Sequence, residues 1–300
     1  MVPLQSLVAQ LSDELTAIEL EISGLQQQVP LAENRHEPGS GVYFVGRPRY
    51  YWDKVPVKVL DKQAALLERY RRWFEAFSRC YSRHSIQVSD SIAALNQYIS
   101  QSIQLTSSHH VMGTHTENRE RLHNELKLCQ ELLPPADPEP PLVLVVDTNA
   151  LLAESDPVRY RDVVGREAFE FVIVPAVLAE LDHLKLSRGN SDLAIKADSA
   201  IRRLKGYRNQ GSVRTGVVVD RHIRVRMVPT EPDMAHLPVW LDPSNTDDRI
   251  IASSLEVQFS NLASCTVLVT NDMNLQNKAE MTFLPWAEPP KERAKGQGPS

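Results

Sequence analysis

Residues 134–141 read PPADPEPP. Five prolines in eight positions lack backbone N–H donors and hold φ near one value, so neither a helix nor an interior strand can run through them. The stretch is expected to be an extended, semi-rigid linker. It divides the 300-residue chain into two halves of different character. Residues 1–133 read as an all-α helical region, and residues 142–285 alternate strands and helices. Residues 286–300 (WAEPPKERAKGQGPS) read as a disordered tail.

The helical half opens on a clean period. Leu4, Val8, Leu11, Leu15, Ile18, Ile22, Leu25 and Val29 alternate spacings of four and three, the a/d pattern of a coiled coil. The same spacing serves an amphipathic helix packed on its own domain. Pairing through residues 4–29, as a homo-oligomer or with a partner helix, is the expectation carried forward; so short a seam is marginal alone. Residues 31–57 form a connector bearing Tyr43, Phe44, Tyr50, Tyr51 and Trp52 with Arg47 and Arg49. Such aromatics either stack on single-stranded bases or pin a loop to a helical core. Helical periods recur over about 60–81, 89–105 and 117–133, which suggests an antiparallel bundle. His109, His110 and His115 have no Cys or acid at ligand spacing and read as a solvated loop.

Composition excludes several classes. Cys80, Cys129 and Cys265 are odd in number and widely spaced, unlike a disulfide scaffold or a zinc module. The start of the chain lacks a signal-peptide pattern and no apolar run is long enough for a membrane span, so a cytoplasmic protein without membrane association is expected. A net charge of −5 argues against a surface that coats nucleic acid throughout, while leaving room for a local basic track.

The chemistry-bearing residues lie after the linker. Leu142–Val146 (LVLVV) is continuously apolar, as a parallel strand buried on both faces must be. It runs into Asp147, Thr148 and Asn149, and open α/β sheets bind ligands at the carboxyl ends of their strands. Thr148 and Asn149 can shape that turn. In the segment PAVLAELDHLK (175–185), Glu180 falls on the apolar helix face, where a carboxylate needs a partner. Asp182 points elsewhere and is expected to pair with Lys185 or Lys278. In NTDDRIIA (245–252) the acids suit a helix N-terminus. Asp248 aligns with the inward stripe of Ile251, Ala252, Leu255 and Phe259, whereas Asp247 is an outer-shell candidate. The strand TVLVT (266–270) leads to Asn271 and Asp272, and Asp272 is also a natural N-cap.

If these strands are parallel neighbours, their carboxyl ends gather the acids, and clustered carboxylates raise one another's pKa. Divalent cations relieve that conflict. Oxygen-only ligands favour Mg²⁺ or Mn²⁺, whose natural task is phosphodiester displacement.

The segments VVDTNALL (145–152), VPAVLAELDHLK (174–185), NTDDRIIAS (245–253) and LVTNDMNLQNKA (268–279) together resemble the PIN domain family. They are most similar to the larger PIN domains of mRNA-decay endonucleases and their bacterial relatives. The resemblance implies a three-layer α/β domain with a central parallel sheet. It also implies a Mg²⁺- or Mn²⁺-dependent endonuclease acting on single-stranded RNA, with Asp147, Glu180, Asp248 and Asp272 as catalytic metal ligands. Asn271 stands where some relatives carry a further acid.

From Asp182 to Arg226 there are eleven Lys/Arg against four Asp. Lys185, Arg188, Arg202, Arg203, Lys205 and Arg208 are therefore candidates for RNA-backbone contacts. Two other functions share these acids: a structure-specific DNA nuclease, and a catalytically idle PIN fold that serves as an RNA-binding scaffold.

Overall fold

The structure, a computed structural model, describes residues 4–34, 49–81, 86–106, 111–187 and 191–291. The chain forms two compact units, one of residues 10–134 and one of residues 1–9 with 135–300. Tyr43, Phe44, Arg47, His109, His110 and Arg188 lie outside the described residues.

The first unit is built on α1 (Leu7–Gln26), α2 (Val57–Arg79), α3 (Ile86–Gln104) and α4 (His115–Leu132). It is not wholly α-helical. The strands β1 (Leu31–Asn34) and β2 (Arg49–Trp52) pair antiparallel. Within this unit the heptad residues Leu11, Leu15, Ile18, Ile22, Leu25 and Val29 are all buried. Trp73 on α2 donates its indole N–H to the Leu11 carbonyl at 2.7 Å, and Gln26 bonds the Ser102 carbonyl at 3.2 Å. Arg69 bridges Glu14 and Glu21. From Leu11 to Val29, the seam expected to pair with a second copy or a partner helix is buried within this unit. An a/d stripe specifies only that one face be covered; here Trp73 of α2 bonds α1 at Leu11 and stacks on Tyr70 and Phe77 at ring separations of 5.9 and 4.8 Å. Trp52 of the connector packs edge-on against the His115 ring, and a His115 nitrogen lies 3.0 Å from the Val29 carbonyl oxygen. His115 is a packing residue at the start of α4, not part of a solvated loop.

The second unit holds a six-stranded sheet. In chain order it contains β3 (Leu142–Val146), α5 (Thr148–Ala153), α6 (Arg161–Val164), β4 (Phe169–Ile173), α7 (Pro175–Leu186), α8 (Ser191–Arg208), β5 (Val217–Asp220), β6 (Ile223–Met227), α9 (Thr246–Ser260), β7 (Cys265–Val269), α10 (Met273–Met281) and β8 (Trp286–Ala287). The strand order is β5-β6-β4-β3-β7-β8. All neighbours are parallel except β5, which folds back antiparallel on β6. The central sheet is thus mostly parallel, with a hairpin edge. Every residue of β3 and β7 is buried, as their unbroken apolar runs require. Helices flank this sheet and connect its strands.

Two boundaries differ from expectation. The end of the proline-rich segment is docked, because the Pro141 carbonyl accepts from Cys265 N at 2.8 Å. Trp286 and Ala287, expected in the tail, add strand β8 to the sheet. Leu268 N donates to the Pro285 carbonyl and Thr270 N to the Ala287 carbonyl, so this segment satisfies donors that β7 would otherwise leave open. Residues 292–300 lie outside the described residues.

Candidate active site

Asp147 ends the central strand. Its backbone N–H donates to the Val269 carbonyl of β7 at 3.1 Å, which fixes it at the carboxyl end of the β3–β7 pair. Its side chain caps α5: Oδ1 accepts from Ala150 N at 2.6 Å and Oδ2 accepts from Thr270 Oγ1 at 2.5 Å. Only 1% of the residue is exposed. Burial pushes its carboxyl up to about 6. The hydrogen bonds from Thr270 and Ala150 oppose that rise, and the negative charges of Asp272 and Glu180 add to it. Asp272 and Glu180 are thus both within electrostatic reach of Asp147.

Two threonines order this group. Thr148 donates to Glu180 Oε2 at 2.6 Å, tying α7 to the turn after β3. Thr270 donates to Asp147 and accepts from Asp272 N at 2.9 Å, so one hydroxyl joins two acids. Sequence reasoning overlooked Thr270. The available signal was a hydroxyl closing an apolar strand, since a buried polar group there must find a partner. Asp272 is itself an N-cap, accepting from Asn274 N and Leu275 N on α10.

Asp248 is placed differently. It is buried in the first turn of α9, and Asn245 caps that helix. Its Oδ1 accepts from Lys278 Nζ at 2.6 Å and its Oδ2 from Asp242 N at 3.0 Å. Lys278 therefore does not serve Asp182, and Lys185 pairs with Asp198 at 2.9 Å instead. Asp182 is exposed, Asp247 half-buried, and Asn149 and Asn271 exposed.

Salt links within the unit neutralise part of the basic stretch. Lys185 and Arg202 both hold Asp198, and the Lys185 hydrogen bond leads the effects keeping that carboxyl below its usual range. Arg203 lies 3.6 Å from Asp156. Lys205 and Arg208 are exposed in the last turn of α8, where the helix dipole favours positive charge.

The donors offered by Asp147, Glu180 and Asp272 are all carboxylate oxygens, which suits a hard divalent cation rather than zinc. The raised carboxyl of Asp147 beside two further acids is a charge conflict that such a cation removes. Among the described residues, no three acidic, His or Cys side chains are already arranged to hold an ion. No described helix is long and apolar enough to cross a membrane.

No curated protein matches the chain. PIN domains are generally metal-dependent nucleases, and PIN nucleases act on nucleic acid. Residues 144–285 match the PIN domain family, and over that span the chain carries a PIN domain.

Proposed function

We propose that this chain is a Mg²⁺- or Mn²⁺-dependent endoribonuclease that cuts single-stranded RNA at the carboxyl ends of β3 and β7. The observation that carries the reading is Asp147: buried, aimed by two hydrogen bonds, and raised to about 6 partly by Asp272 and Glu180. A bound divalent cation would supply an activated water and charge stabilisation at the leaving oxygen. Asp147, Glu180 and Asp272 would hold it. Thr148 and Thr270 keep the carboxylates oriented, and Asp248 joins once its carboxylate is released from Lys278. The similarity to the mRNA-decay branch supports RNA over flap DNA as substrate, and exposed Lys205 and Arg208 offer phosphate contacts.

The test is internal cleavage of a defined RNA in Mg²⁺ or Mn²⁺, with flap DNA and single-stranded DNA alongside. Asp147→Asn is expected to lower kcat at least ~100-fold, as loss of a metal-holding or charge-stabilising group does, while keeping the fold. Undiminished cleavage by this variant would falsify the assignment. The Asp248–Lys278 pair favours a second reading, an idle PIN fold that binds RNA, and metal-dependent cleavage by the wild type excludes it.

A further inference from the structure

The segment Leu237–Asp242 exposes an aromatic side chain two residues before Asp242, whose N–H holds the Asp248 carboxylate. Leu237 and Leu241 are buried in the core of the second unit, 6% and 5% exposed. Leu241 N donates to the Pro238 carbonyl at 3.0 Å, closing a turn whose two central residues are Val239 and Trp240. With both ends anchored, that turn holds the central pair outward, and Val239 is 98% and Trp240 39% exposed. Tryptophan is usually well covered, because its large apolar area is costly to leave in water. The next residue but one is Asp242, whose N–H holds Asp248 Oδ2. Two residues of chain span no more than about 7 Å, so the Trp240 backbone lies within that reach of the residue that clamps Asp248.

We infer that Trp240, flanked by Val239, is a stacking platform for one unpaired base of a single-stranded nucleic acid whose backbone lies at the acids. This rests on the nuclease reading above and adds to it a residue that holds a base of the single-stranded substrate. An indole face stacks on any base, but only on one free of its own stack. The turn carries no charge at its two central positions, so it contributes to affinity without contacting phosphate.

The experiment measures binding of the full chain to fluorescein-labelled oligouridine of about 12 nucleotides. It is run in calcium, with product gels confirming intact RNA, and a duplex of equal length serves for comparison. Trp240→Ala is expected to weaken single-strand binding about 5- to 100-fold, the range for loss of one base–aromatic stack. Trp240→Phe should weaken it less. Duplex affinity and the slope of log Kd against log salt should stay at wild-type values. In cleavage assays the alanine variant should raise KM and leave kcat within about twofold. Wild-type affinity in Trp240→Ala, an equal loss on duplex, or a wild type that does not bind the oligouridine each overturns the stacking role. If the wild type cuts RNA, Asp147→Asn does not, and Trp240→Ala binds normally, stacking alone falls. Trp240-dependent binding with no metal-dependent cleavage upholds the platform and removes the nuclease reading.

Discussion

Lys278 Nζ lies 2.6 Å from Asp248 Oδ1, with the side chains only 19% and 7% exposed. The pair joins α10 to the first turn of α9, so an acid expected to meet metal is already neutralised by the chain itself. Breaking one side of such a pair leaves a buried charge and costs about 3–5 kcal/mol. Lys278→Met should therefore destabilise the protein by that order. Adding Asp248→Asn should recover much of the loss, because the stranded charge is gone. Chemical denaturation of the two single variants and the double variant measures the coupling, and simple additivity would refute it.

Asp147 makes stability depend on pH in an unusual direction for a carboxylate. Its carboxyl lies near 6 in the folded protein against an ordinary value of 3.8, so the folded state holds a proton that the unfolded chain has released between those values. Stability should fall as pH rises from about 4 to 6, by on the order of 2 kcal/mol, and level off above that. Asp147→Asn should flatten this window and raise the midpoint of unfolding at pH 7. Thermal scans across pH 4 to 8 on both proteins would show it, and parallel curves would count against it.

A divalent cation should reverse that sign. Binding to the folded state alone stabilises by about 2.7 kcal/mol at a hundredfold excess over Kd. Mg²⁺ or Mn²⁺ should therefore raise the unfolding temperature of the wild type at pH 7. Asp147→Asn, although more stable without metal, should show little further gain. Titration calorimetry gives the same comparison directly.

The seam of α1 leads to a prediction about folding rather than assembly. Leu15 and Ile18 are fully buried while Leu20 is 70% exposed. Leu15→Ala or Ile18→Ala should each cost about 2–5 kcal/mol, and Leu20→Lys less than about 0.5 kcal/mol. Light scattering should report the same mass for wild type and Leu20→Lys. A concentration-dependent mass that Leu15→Ala abolishes would restore the coiled-coil reading.

How legible these features were in the sequence depended on the range of the interaction. The continuous apolar runs of β3 and β7 announced buried parallel strands, and an acid directly after β3 and another three residues after β7 were visible from spacing. The inward position of Asp248 followed from helical periodicity, since it aligns with Ile251 and Leu255. Its partner did not, because Lys278 lies thirty residues away and no local period connects the two. The α1 stripe was legible as apolar and ambiguous in its partner, because period alone does not say whose surface covers it. The β5–β6 hairpin, turning at Arg221 and His222, reverses one edge of the sheet, a reversal that a strand-helix alternation does not suggest.

The match to the PIN domain ends at residue 285, yet Thr270, which aims Asp147, has its backbone N–H held by the Ala287 carbonyl at 2.9 Å. A fragment cut at the homology boundary would release that amide and leave the end of β7 as a raw sheet edge. Whoever dissects this chain for expression should extend the fragment past Ala287, because the scaffold of the acid cluster outlasts the recognisable sequence.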